Sequence, residues 1–268
     1  MIAIAHFIAV TLYLVAAAIA ALPFARRVKA PVTGVVIALL GGIAAHSTAL
    51  IGLSRETGAA SLTGLGPALS FAGLVLAVAL VIVEIVAKEV SLALIAAPLT
   101  ALVTMAGNLT GMHPSLDPQG ARAVWLTLHI VLSFAGMAAY ATAAAAGTMY
   151  LVARRELKSG RFGAIYRFFP PLETLDRVNH FAAVTGFLGL TLGLALAAAY
   201  SFQYRALVLP QIIWGMTAWM GLAALAFGRV RWGWQARRAA LIAAVSFGSV
   251  LALYFVFRFA LTPSGRFL

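Results

Sequence analysis

Apolar residues run along this chain in blocks of roughly twenty, the length one helical crossing of a bilayer needs, and the charged residues collect between the blocks. The blocks fall at 2–22, 31–53, 64–86, 90–109, 123–152, 178–200, 206–228 and 239–261. They predict eight transmembrane helices in an all-α, polytopic membrane protein. The third and fourth blocks meet at a charged stretch around Glu84, Lys88 and Glu89. A single helix over 64–109 is too long for any bilayer, so a turn is expected there. The longest stretch between blocks, ARRELKSGRFGAIYRFFPPLETLDR at 153–177, is basic and broken by Pro170 and Pro171. It is expected to be a loop lying on the membrane surface or meeting a partner.

Composition agrees with the pattern. Of 268 residues 63% are hydrophobic and 10% charged, with a mean hydropathy of +1.01, far from the balance of a soluble domain. No segment is left for one, and 1–268 is read as a single membrane domain. The first block has no basic stretch ahead of it and Arg26 and Arg27 behind it, so a retained crossing is expected rather than a cleaved leader. There is no cysteine, which excludes disulfides, thiolate metal sites and thioether attachment of haem to this chain.

The net charge of +12 matters through its placement. Nucleic acid is not expected as a partner; the lipid bilayer is. The stretches after the odd-numbered blocks hold Arg26, Arg27, Lys29, Lys88, Arg154, Arg155, Lys158, Arg161, Arg167, Arg177, Arg229, Arg231, Arg237 and Arg238, fourteen in all. The other side holds five: Arg55, Arg122, Arg205, Arg258 and Arg266. The positive-inside rule then puts both termini in the periplasm of a bacterial inner membrane. Trp125, Trp232 and Trp234 suit the interfacial belt at the crossing ends.

Against this apolar background the histidines stand out. With the first, second and fifth helices oriented as above, His6, His46 and His129 lie at one depth, roughly 10 Å below the outer surface at 1.5 Å per residue. An imidazole inside a membrane has two ordinary uses: it can ligate haem iron or another metal, or it can hydrogen-bond a neighbouring helix. Ser47 and Thr48 beside His46, and Thr127 and Ser133 near His129, could serve the second use. His113 falls in an outer loop, as a gate or a surface residue, and His180 near the cytoplasmic end of the sixth crossing. No zincin spacing, phosphate-binding loop or nucleophile elbow occurs, and the carboxylates lie at or near crossing ends, so the chain is not expected to be an enzyme. Gly186, Gly189 and Gly193 give the sixth helix a small-residue face suited to close packing.

Five stretches of the second half occur in an order that resembles a known family: WLTLHIVLSFAGMAAYA, YLVARRELKSGRFGAIYRFFPPLETLDR, TGFLGLTLGLALA, LPQIIWGMTAW and GWQARRAALIAAVSFGSVLALYFV. They resemble the cytochrome c assembly family of haem-handling membrane proteins, CcsA-like, and most closely its YpjD-like and HemX-like branch. AHSTAL around His46 is similar to a histidine-bearing stretch of that branch. The resemblance implies a four-helix part at 1–121 and a cytochrome c assembly-like core at 122–262. It also implies haem b as cofactor, bound near the periplasmic side, with His46 and His129 as axial ligands; His6, at the same depth, is the substitute. Haem trafficking or cytochrome c maturation is the implied function, with proteins of the haem or cytochrome c maturation pathways as partners. A membrane adaptor acting through 153–177 and a small-molecule permease are the alternatives. In larger members a tryptophan-rich outer segment precedes the seventh crossing. Here the place reads SFQYRALVLPQIIWGMTAW, with Pro210, Trp214 and Trp219 matching and Leu209 where an acid stands, and no histidine follows the last crossing.

Overall fold

The computed structural model describes residues 1–22, 31–58, 62–87, 92–114, 120–160, 169–204 and 209–257. Arg26, Arg27, Lys29, Lys88, Glu89, Arg161, Arg167, Arg205, Arg258 and Arg266 lie outside the described residues. Among those described, eight helices follow one another: α1 (Ile2–Ala20), α2 (Val32–Thr57), α3 (Leu65–Ala87), α4 (Ala93–Leu109), α5 (Ala121–Ser159), α6 (Leu172–Tyr204), α7 (Leu209–Trp232) and α8 (Ala236–Phe255). Seven are long and apolar enough to cross a membrane. The chain is a polytopic helical membrane protein. The remaining helix, α4, has 17 residues and carries Pro98 in its interior, where the ring removes one backbone donor. At 1.5 Å per residue it spans about 26 Å, slightly less than a typical hydrocarbon core of roughly 30 Å.

The expected loop at 153–177 is shorter than its polarity suggests. Helix α5 continues through Ser159 and α6 begins at Leu172. Arg154, Arg155, Glu156, Leu157 and Lys158 are good helix formers, and a helix satisfies its own backbone whether lipid or water surrounds it. The Pro171 carbonyl accepts the first backbone bond of α6 from Leu175 N–H, at 3.1 Å, a position where the missing proline donor costs nothing.

The chain divides into two compact units, Met1–Thr127 and Leu128–Leu268. In the first, α1 packs on α2 and α4, and α3 packs on α4 and α2. The buried face of α1 repeats at helical spacing through His6, Ala9, Val10, Tyr13, Ala16 and Ala20, the stripe a packed helix shows. Glycines let the backbones close. A Cβ at Gly66 would fall on the Gly111 carbonyl, and one at Gly107 would stand 2.6 Å from Ser70 N.

In the second unit the glycine face of α6 meets α5 as expected. A Cβ at Gly136 would come within 2.6 Å of Leu190 N, one at Gly186 within 3.1 Å of Gly136 O, and one at Gly193 within 3.0 Å of Ser133 N. Around this seam Tyr140, Leu222, Leu225 and Val250 form a buried core with Trp214 and Trp219 against it. Each polar tip in that core finds a partner: Tyr140 O–H donates to Ser246 Oγ at 2.6 Å, Trp214 Nε1–H to Val250 O at 3.0 Å, and Trp219 Nε1–H to Thr191 Oγ1 at 2.9 Å. Arg229 closes a bidentate pair with Asp176, one arm at 2.9 Å, tying the end of α7 to the start of α6. The α7–α8 turn uses Gly233 at φ 59°, a left-handed conformation that glycine adopts without a Cβ penalty. It also seats Trp234 against Gly228, where no side chain could fit.

Candidate functional site

Two sites emerge, one in each unit. In the first, His6 from α1 and His46 from α2 are both fully buried, with ring centroids 5.2 Å apart in an edge contact. Both Nε2 atoms converge on the hydroxyl of Ser70 from α3, His6 at 2.7 Å and His46 at 2.9 Å. His6 Nδ1 lies 3.0 Å from the Ile2 carbonyl, and His46 Nδ1 lies 3.2 Å from the Tyr13 hydroxyl.

Proton positions in this cluster follow from its partners. A carbonyl can only accept, so His6 Nδ1–H donates to Ile2 O and His6 Nε2 carries the lone pair. With both rings neutral, Ser70 O–H must then donate to His6 Nε2. Ser70 Oγ accepts from His46 Nε2–H, and His46 Nδ1 accepts from Tyr13 O–H. This is the single assignment that satisfies every group, and it runs in one direction along four side chains.

In the second unit His129 is half-buried on α5. Its Nδ1–H donates to the Gly193 carbonyl of α6 at 2.8 Å, with Ser133 Oγ 3.3 Å from the same nitrogen. The close approach at Gly193 brings that carbonyl within reach. Its Nε2 makes no hydrogen bond among the described residues. Metal-ligating histidines commonly have one nitrogen anchored on a carbonyl while the other presents its lone pair.

The remaining histidines are placed apart from these clusters. His113 is exposed beyond α4. His180, on α6, is half-buried with its Nδ1 buried and unbonded. Among the described residues no group of three or more His, Cys, Asp or Glu side chains is arranged to hold a metal ion. Haem iron needs fewer protein ligands, one or two imidazoles with free lone pairs. His129 meets that requirement as placed. His6 and His46 have every ring nitrogen engaged and no exposed edge, so neither is free to take iron while Ser70 stays between them.

The pairing of His6 with His46, and the parts played by Ser70 and Tyr13, were not anticipated from the sequence. One signal was available. Tyr13 stands seven residues after His6, two turns along one face of α1, and a tyrosine in the middle of an apolar block needs a partner for its hydroxyl.

The description "Cytochrome C assembly protein" matches residues 59–262. The chain belongs to this family. Among curated proteins it is similar to cytochrome c biogenesis protein CcsA of Synechococcus elongatus, 33% identical over 85 residues, 31% of this chain and 26% of the relative. The CcsA of Prochlorococcus marinus is 35% identical over 89 residues, 32% of this chain and 29% of the relative. These matches therefore span less than a third of either relative's length. No solved structure matches the chain closely.

Proposed function

We propose that this protein handles haem in a bacterial inner membrane, in haem trafficking or cytochrome c maturation, and that it binds haem b between its helices near the periplasmic side. Its role is binding rather than catalysis. The observation that carries this is His129, whose Nδ1–H is fixed on the Gly193 carbonyl, so that Nε2 is the nitrogen that would hold haem iron. Family membership supports it independently. Haem would supply an iron centre there, and this chain's part would be to orient the His129 imidazole that holds it. His46, or His6 in its place, would be a haem ligand only if Ser70 released the nitrogen it holds.

The proposed topology has eight crossings, α4 included, with both termini periplasmic. A reporter fused after Leu268 is then active in the periplasm and one fused at Ser159 in the cytoplasm; the opposite pattern overturns the orientation. The haem test is an absorption spectrum of the detergent-solubilised protein titrated with haem. Wild type is expected to develop a ligated Soret band, His129→Ala to lose affinity and recover it with added imidazole, and His180→Ala to behave as wild type. An unchanged titration in His129→Ala removes that residue from the site.

A further inference from the structure

Beyond Asp176 the chain carries no further carboxylate, while the turn between α7 and α8, RVRWGWQARR, holds four arginines at 229, 231, 237 and 238. Arg229 is committed to Asp176. Arg231, Arg237 and Arg238 are exposed, and none of the three is ion-paired among the described residues. Two of them stand in the first turn of α8, where the aligned peptide dipoles already concentrate positive charge. That turn has no acidic residue, and its N-cap, Gln235, makes no side-chain hydrogen bond to it. Like charges gathered at the positive end of a helix are unfavourable by themselves. An anion brought from outside the chain reverses the sign.

The turn is held in one shape. The Trp234 backbone N–H donates to the Gly228 carbonyl at 3.2 Å, and the Trp234 ring occupies the space a side chain at Gly228 would need. Trp232 stacks on Trp234, with ring centroids 5.5 Å apart and planes inclined by 27°. The Arg238 guanidinium lies 4.8 Å from the centre of the Trp234 ring, a cation–π contact. One arginine and two indoles are thereby fixed as a platform, and Arg231 and Arg237 stand on either side of it in sequence.

The surroundings of the charges identify what carries the anion. Residues four apart on a helix share a face. Arg231 stands one turn beyond Phe227 on α7, and Arg237 one turn before Leu241 and two before Val245 on α8; all three apolar side chains are exposed. Both helices are long and apolar enough to cross a membrane, so these exposed stripes face hydrocarbon, with an arginine at the end of each. A soluble phosphate has nothing to offer the stripes. A phospholipid matches the whole arrangement: its phosphate meets the guanidinium forks, its acyl chains follow the stripes, and the indoles lie at headgroup level.

We propose that the α7–α8 turn is a binding site for the headgroup phosphate of an anionic phospholipid, held by Arg231 and Arg237 over the platform of Arg238, Trp234 and Trp232. The site goes beyond haem handling. It uses neither His129 nor any residue of the first unit, and it stands whichever side of the membrane the turn faces.

The test is native mass spectrometry of the full detergent-solubilised chain, titrated with phosphatidylglycerol or with phosphatidylcholine of the same acyl chains. Wild type is expected to prefer phosphatidylglycerol, by roughly fivefold for each of the two arginines. Arg231→Gln combined with Arg237→Gln should bring phosphatidylglycerol down to the phosphatidylcholine value, and Arg237→Lys, which keeps the charge without the fork, should lose part of the preference. Arg55→Gln combined with Lys158→Gln removes the same charge from the ends of α2 and α5 and should leave the preference intact. Three results overturn the proposal. Equal binding of the two lipids by wild type means that no headgroup site exists. An equal loss in the Arg55 and Lys158 variant means that the attraction is diffuse charge. Displacement of phosphatidylglycerol by glycerol phosphate at the same concentration means that the ligand is a soluble anion.

Discussion

In Met1–Thr127 the imidazoles of His6 and His46 are shut off from solvent and commit all four ring nitrogens to protein partners. In Leu128–Leu268 the half-buried His129 commits one nitrogen to the Gly193 carbonyl and leaves the other without a hydrogen bond among the described residues. The surroundings differ in the same sense. The first unit gathers the hydroxyls of Ser70 and Tyr13 around the histidines, whereas the second distributes single polar tips, Tyr140, Trp214 and Trp219, among apolar neighbours. One residue type in one solvent thus occupies two hydrogen-bonding environments. What decides between them is whether a hydroxyl from a third helix reaches the Nε2 atom. A free lone pair can bind a ligand; a shared one ties helices together.

The largest effects should come from the helix seams that hold both sites. Gly66→Ala places a carbon on the Gly111 carbonyl, and Gly136→Ala places one against Leu190 N. Backbone cannot move aside as a side chain can, so each should cost upwards of roughly 1–3 kcal/mol. Hydrogen exchange by mass spectrometry should show the loss of protection confined to the unit that carries the substitution. Loss in both units together would mean that they do not fold independently.

Next in size is Ser70→Ala. It leaves two buried imidazoles each short of a partner, at roughly 1–3 kcal/mol per unsatisfied group, read as a fall in the thermal midpoint of the solubilised protein. His129→Ala breaks a single half-exposed bond and should cost about 0.6 kcal/mol, the average for such bonds in membrane proteins. If the two substitutions prove equally costly, the contrast between closed and open histidine sites fails. Smaller still is Arg229→Lys, which exchanges a bidentate pair with Asp176 for a single contact and should lower the midpoint slightly. Arg177→Ala should leave it unmoved, because its Glu173 partner is exposed on the same helix turn.

The sequence made the crossings legible because a bilayer demands long apolar runs, and α1, α2, α3 and α7 start or stop within a few residues of where hydropathy places them. It did not reveal where α5 and α6 end. Hydropathy marks where lipid stops, while helix formation continues through Arg154 and Lys158 on backbone bonding alone. Gly186, Gly189 and Gly193 were readable as a packing face because small residues at helical spacing have few other uses. The Ser70 role was not readable. A lone serine in ALSFAG carries no periodic signal, and its importance comes from two helices distant in sequence that aim at it. His46 illustrates the same limit, since its neighbours in sequence, Ser47 and Thr48, are not its partners.

The length of α5 has a mechanical consequence. Between Arg122 and Arg154 it carries 31 consecutive residues without a charge, about 46 Å of helix for a hydrocarbon layer of roughly 30 Å. So long a rod must lean, or must thicken the lipid around it. The glycine seam joins α5 to α6 between Leu132 and Ala139, near the middle of that run, so α6 has to follow. The Gly193 carbonyl and the His129 ring sit on opposite sides of the seam and move together as the pair inclines. The inclination of this helix pair, and of the imidazole it carries, is therefore expected to follow bilayer thickness, which makes lipid composition a variable to control when the histidine of the second unit is studied.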